Sequence, residues 1–212
     1  MSNLVASVSQ FLSNYRRGTH AIVFYHSQET KHRVLFSHLK FGENSNQGLV
    51  YVCSEENPLQ VKSEMRQFGI NVDHLNERNR LIVNNYDRVY IVDGKVDVPS
   101  IIQTFSKVSM KYARMGLEGM RAAAEMSCFF KHDKVQDLLR YEEALHRKLE
   151  FPAEGVCAYN IFDLIETGEL HTIMQLAKAH SPVIFAGPKQ SLLVEPEGLQ
   201  PQQIEKAMEI RL

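Results

Sequence analysis

The sequence predicts a three-layer α/β domain with a mostly parallel central sheet. Short apolar runs rich in β-branched residues recur along it, among them HAIVFY at 20–25, GLVYVC at 48–53 and PVIFA at 182–186. Runs with no alternating polar face suit strands covered on both sides. Between them lie segments of helical spacing. The strand–helix alternation repeats about five times, which favours parallel strands joined by right-handed crossovers.

Taken in order, Leu4, Val5, Val8, Phe11, Leu12 and Tyr15 form one apolar stripe over a helix at 3–16, which must pack on the domain or on another chain. After Gly18 and Thr19 comes the first buried strand, His20 to Tyr25, and then a helix from Gln28 to Phe41. Gly48 to Cys53 is a second strand, and Pro58 suits the first turn of a helix that runs to Phe68 and stops at Gly69. LIVN at 81–84 is a third strand, followed by a turn at Asp93-Gly94 and a helix from Val98 to Met115. GMRAAAE at 119–125 reads as a strand, 134–149 as a helix and 155–159 as a strand. Ile161 to Ala179 is mostly helical, Pro182 to Ala186 a last core strand and Gln202 to Arg211 a short charged helix. The division expected is an N-terminal helix at 1–17, a main domain at 18–190 and a C-terminal extension at 191–212.

Composition limits the function. The chain has 212 residues and a formal net charge of −1, so no general attraction draws it to nucleic acid or to an anionic membrane. No stretch approaches the roughly 18 apolar residues of a membrane span. Three widely spaced cysteines, Cys53, Cys128 and Cys157, do not read as a disulfide framework, and a reducing cytoplasm is the expected location. Neither CxxC nor HxxxH spacing points to a metal, and no nucleophile elbow or GxGxxG is present. Cys53, Cys128 and Cys157 are expected as small buried apolar residues.

Sheets of this kind bind ligands beyond the carboxyl ends of their strands. That rule selects Tyr25 to Gln28, Cys53 to Glu56, Asn84 to Asp87, Glu125 to Cys128 and Tyr159-Asn160. Arg121 and Glu125 stand four apart in one strand and share a face, so they offer a polar floor to a pocket, or a salt bridge from Arg121 to a helix acid such as Glu142. Tyr25, His26 and Tyr159 would shape such a pocket and Glu55 its rim. Ser27 belongs to the same set, with capping of the next helix as its plainer reading. His180 is expected to be structural.

The stretch from His20 to Val72, with its buried strand, the strand VYVCSEENP and a helix closing on Phe-Gly-Ile, resembles the KaiC branch of the RecA-like, P-loop NTPase-like ATPases. The resemblance implies that Glu55 and Glu56 occupy the positions of paired acids that assist ATP hydrolysis, with Lys31 near the phosphate-loop lysine. The loop itself is degenerate. Tyr25-His26-Ser27-Gln28-Glu29-Thr30-Lys31-His32 contains no glycine, although backbone N–H groups need that freedom to wrap phosphates. His32 replaces the magnesium-binding hydroxyl, and the Glu29 charge would cost on the order of a few kcal/mol beside a polyanion.

Over residues 18–188 the chain resembles the MEDS domain, the sensory domain named for methanogen and methylotroph proteins and the regulator DcmR. The matching pieces are HAIVFYHSQE, SEENP, RAAAEMS, LRYE, CAYN and HSPV. The resemblance implies a sensor of small organic compounds. Only about 17 residues precede the first strand, less than a helix-turn-helix needs, so a separate signalling or transcription partner is expected. The reading is therefore a sensory module that binds a small organic ligand, without cofactor, metal or enzymatic activity of its own, with homo-oligomerisation possible through its terminal helices. The alternative is a KaiC-like nucleotide-binding protein taking ATP with Mg at Lys31, Glu55 and Glu56.

Overall fold

The structure is a computed structural model that describes residues 3–14, 18–146, 151–168, 175, 177, 183–194 and 201–211. In chain order the elements are α1 (Asn3–Ser13), β1 (Thr19–Tyr25), α2 (Gln28–Asn44), β2 (Gly48–Cys53), α3 (Pro58–Gln67), α4 (Val72–Glu77), β3 (Leu81–Asn85), α5 (Val98–Arg114), β4 (Met120–Glu125), α6 (Ser127–Lys131), α7 (Val135–His146), β5 (Ala153–Asn160), α8 (Ile161–Glu166), β6 (Val183–Ala186), β7 (Ser191–Val194) and α9 (Pro201–Met208). The sheet has seven strands in the order β3-β2-β4-β5-β1-β6-β7, and only β7 runs antiparallel to its neighbour.

Strand parity sorts the side chains into two cores. Ala21, Val23 and Tyr25 of β1 face one side, packed with Val34, Leu35 and Leu39 of α2 and with Val61 and Met65 of α3. Ile22 and Phe24 face the other, packed with Phe105 of α5, Phe129 of α6 and Leu138 and Tyr141 of α7. This is a three-layer α/β fold. Of the α1 stripe, Val8 and Leu12 pack on the domain itself, buried beside α2 and β7.

Local chemistry explains the boundaries. Ser27 caps α2 in a reciprocal capping box with Thr30, and Asn57 does the same for α3 with Gln60, with Pro58 in the first turn. Gly69 ends α3 at φ +95°. The Asp93-Gly94 turn has positive φ at both residues, 50° and 73°, as a type I′ turn requires. Several short elements escape a reading based on periodicity. α4 and α6, of 6 and 5 residues, are too short to show a helical period. β7 is only 4 residues long. The predicted helix Ile161 to Ala179 is α8 up to Glu166, and most of its remainder, with His180, lies outside the described residues.

Arg121 is the buried hub of the amino-terminal half of the sheet. Its Nε donates to Glu154 Oε2 at 3.0 Å and Gln47 Oε1 at 2.8 Å, and its Nη1 donates to the carbonyls of Leu12 at 2.9 Å and His38 at 3.1 Å. Gly42 makes room for its stem, because a Cβ there would lie 2.8 Å from Arg121 Cδ. Burial, and then the Arg121 charge, push the His38 imidazole down to about 3, so it is neutral. The expected partner Glu142 is replaced by Glu154, because Glu142 sits on α7, on the opposite face of the sheet from Arg121.

Removing Arg121 leaves Glu154 buried without its counter-charge. Arg121→Leu should therefore cost about 3–5 kcal/mol in chemical denaturation, and Arg121→Leu with Glu154→Leu should recover part of that loss.

Candidate functional site

Besides the Arg121 cluster, two polar centres lie in the core, one on each face of the sheet. The first gathers where β1, β2 and β4 end. Lys31, in the first turn of α2, is fully buried, and its ammonium meets Glu125 Oε1 at 2.8 Å, Glu55 Oε2 at 2.9 Å and Glu56 Oε2 at 3.0 Å. Each carboxylate has further donors. Glu125 accepts from Tyr51 Oη at 2.7 Å and from the N–H groups of Ser54 and Glu55 at 2.7 and 2.8 Å. Glu55 accepts from the Tyr25 hydroxyl and from Ser127 Oγ at 2.5 Å, and Glu56 pairs with His32 Nε2 at 2.7 Å.

The electrostatics follow from this packing. Burial alone would lower Lys31, but Glu125 and Glu55 outweigh it and hold the ammonium above its ordinary value. Burial alone would raise Glu56, but His32 and Lys31 bring it down to about 2. Glu55 is likewise held low against burial by Lys31, Ser127 and Tyr25. Asp163 at the start of α8 moves the other way, raised by burial and by the Glu55 charge. Burial, and then Glu55, raise the Tyr25 phenol, so it stays a donor. An open crevice of about 450 Å³ adjoins this centre, lined by Ser54, Glu55, Glu56, Asn57, Asn84 and Asp87.

The second centre lies under α7. His20 and Gly155 are partners in the β1–β5 register, and Ile22 and Cys157 are the next pair on that face. With no side chain at Gly155, the His20 ring reaches along β5 and places Nε2 3.0 Å from Cys157 Sγ. Glu142 Oε2 lies 3.5 Å from the same nitrogen, while Glu142 Oε1 accepts from the Tyr159 hydroxyl. The side chains of His20 and Glu142 are only 5% and 1% exposed, and Cys157 is buried. Burial, and then the Glu142 charge, hold the Cys157 thiol and the Tyr159 phenol well above their usual ranges. Beside the centre is a cavity with about 30 Å³ open to the centre of a water-sized sphere, walled by Tyr90, Phe105, Met120, Tyr141 and Leu145, with His20 and Cys157 in its lining. The buried Tyr90 hydroxyl interacts with Tyr141 but reaches no partner at hydrogen-bonding geometry.

The residues singled out in the sequence thus separate. Tyr25, Glu55 and Glu125 come together, with Lys31 and Glu56. Arg121 does not join them, and Tyr159 serves the opposite face. His26 stacks edge-on against Phe162 at 5.1 Å, and Ser27 spends its hydroxyl on the α2 cap. Cys53 and Cys128 lie in different cores, so the three cysteines do not cluster. His20, Glu142 and Tyr90 carried little signal as site residues. The only hints were polar groups at core-facing positions, with His20 in register with Ile22 and Phe24, and Glu142 beside Leu138, Tyr141 and Leu145.

Residues 19–181, well over half of the chain, match the family model of the MEDS domain, described as the methanogen/methylotroph, DcmR sensory domain. The chain belongs to the MEDS family. Membership gives this MEDS domain a sensing or signalling role. No curated protein matches the sequence. Among the described residues, no helix is long and apolar enough to cross a membrane.

The pKa directions set the pH dependence of folding. The lowered carboxyls of Glu55 and Glu56 favour the folded state above about pH 4.3, and this contribution fades as pH falls toward about 2. The raised Lys31 contributes below about pH 10.4 and is lost as pH rises through its folded-state value. Stability measured by urea unfolding should therefore be flat around neutrality and fall toward both extremes. Lys31→Met should lower it by about 3–5 kcal/mol at pH 7 and flatten the acid limb, because Glu55 and Glu56 would no longer be held low by a cation.

Proposed function

We propose that this domain senses a small neutral organic molecule taken into the cavity beneath α7 and conveys its occupancy to a signalling partner. The observation that carries the reading is the apolar cavity itself, with Tyr90, His20 and Cys157 in its lining. Apolar walls with a few placed polar groups are the usual composition of a small-molecule site. Its size sets the ligand class. About 30 Å³ of this measure admits roughly two or three heavy atoms, since about 10–15 Å³ holds one water. At a ceiling of about 1.5 kcal/mol per heavy atom, affinity reaches about 3–4.5 kcal/mol, a dissociation constant near the millimolar range. Such a sensor responds to an abundant compound, not to a trace signal.

The carboxyl edge supports binding less well. Tyr25, Glu55 and Glu125 satisfy one another there, Ser27 caps α2, and Arg121 lies in the amino-terminal half of the sheet. The nucleotide reading meets a specific obstacle. Lys31 would have to leave Glu55, Glu56 and Glu125 to reach a phosphate, and the glycine-free loop gives no backbone cradle to attract it.

Alcohols of one or two carbons should shift the amide resonances of α5, α7 and β5 with millimolar half-saturation, and xenon under pressure should occupy the same place in a crystal. Ala124→Val, which fills the cavity, should weaken the alcohol shifts at least tenfold. Shifts confined to the carboxyl edge would refute the placement. Mg-ATP at millimolar concentration should produce no change, and a triphosphate seated on residues 26–32 would overturn the sensor reading in favour of the nucleotide one.

A further inference from the structure

We infer that His20, Glu142 and Cys157 form a binding site for one zinc-class divalent ion on the α7 face of the sheet. The argument rests on convergence. Three donors from three elements, β1, α7 and β5, direct one nitrogen, one oxygen and one sulfur to a single point, all within 4.8 Å of one another. Nε2 of His20 faces both partners, at 3.0 Å from Sγ and 3.5 Å from Oε2. With bonds of about 2.0–2.3 Å, donors around a tetrahedral zinc stand about 3.3–3.6 Å apart, so small rotations of the Cys157 and Glu142 side chains close the site.

The donor set selects the ion. A thiolate excludes magnesium and calcium, which prefer oxygen, while mixed sulfur, nitrogen and oxygen ligation suits zinc. Charge agrees as well. A dication would neutralise the Glu142 carboxylate and a Cys157 thiolate together. The Cys157 proton leaves to solvent or buffer on binding, and no oxidation is involved. The support expected around a metal ligand is also present, because the Tyr159 hydroxyl holds Glu142 Oε1 and leaves Oε2 turned toward His20. The adjoining cavity, with room for a water, accommodates a fourth ligand. A nucleophilic thiol is the poorer reading of the same residues. In a catalytic relay the acid holds Nδ1 and the nucleophile holds Nε2, whereas here both partners face Nε2.

The inference does not depend on the small-molecule reading, and its test is separate from alcohol binding. The full chain, stripped with a chelator, is titrated with cobalt(II). One equivalent should bind with a thiolate-to-cobalt charge-transfer band and the intense visible bands of a tetrahedral ion, all displaced by zinc. Cys157→Ser should abolish the charge-transfer band, Cys53→Ser should retain it, and Tyr159→Phe should weaken binding about 10–100-fold. No absorption change up to millimolar cobalt, or a charge-transfer band that persists in Cys157→Ser, would overturn the site. Should Cys157→Ser fail to fold, X-ray absorption of the zinc-loaded wild type decides. One sulfur at about 2.3 Å supports the assignment, and an oxygen–nitrogen shell alone ends it.

Discussion

The carboxyl edge of the sheet depends on one buried ammonium. Lys31 stands among Glu55, Glu56 and Glu125, and through them it fixes the start of α2 against the ends of β2 and β4. Its surroundings follow from the need to keep an excess of negative charge tolerable away from water. Two tyrosine hydroxyls, a serine, two backbone amides and a histidine donate to or pair with the carboxylates that it leaves partly unbalanced. A buried charge with these partners specifies an arrangement more than it adds net stability, since desolvation offsets much of the attraction.

The other face is organised by shape. Glycine at 155 lets His20 lie along β5, and the alanines at 122 and 124 leave the space in which the cavity sits. Small residues on two neighbouring strands face Phe105 of α5, Tyr141 of α7 and Tyr90, whose ring packs against both of the others. This division gives the domain a charged, self-satisfied edge and an apolar interior with three donors at its margin.

Much of the fold was legible in the sequence. HAIVFY, GLVYVC and MRAAAE are strands where their apolar runs placed them, and the Ser27 and Asn57 starts and the Gly69 stop behave as their chemistry dictates. Elements too short to display a period were not legible, nor was the extension of α2 from Phe41 to Asn44, where Gly42 reads as a breaker but serves Arg121. The candidate sites were harder to read. Glu55 and Glu125 could be chosen because they end strands, and strand ends meet. His20, Glu142 and Cys157 stand at 20, 142 and 157, and no local pattern joins them. Only sheet register and the docking of α7 bring them together. Arg121 misled for the same reason, since the charge of a strand residue is visible in sequence but its partner on the neighbouring strand is not.

One strand belongs to both centres. β1 offers His20 to one face near its start and Tyr25 to the other at its end, about 16 Å apart at strand rise. Hydrogen-bonded on both edges by β5 and β6, it acts as a beam clamped along its length, with an instrument mounted above one end and another below the opposite end. The two centres thus share a strand while facing opposite layers, so a substitution at one can be read without changing the side chains of the other.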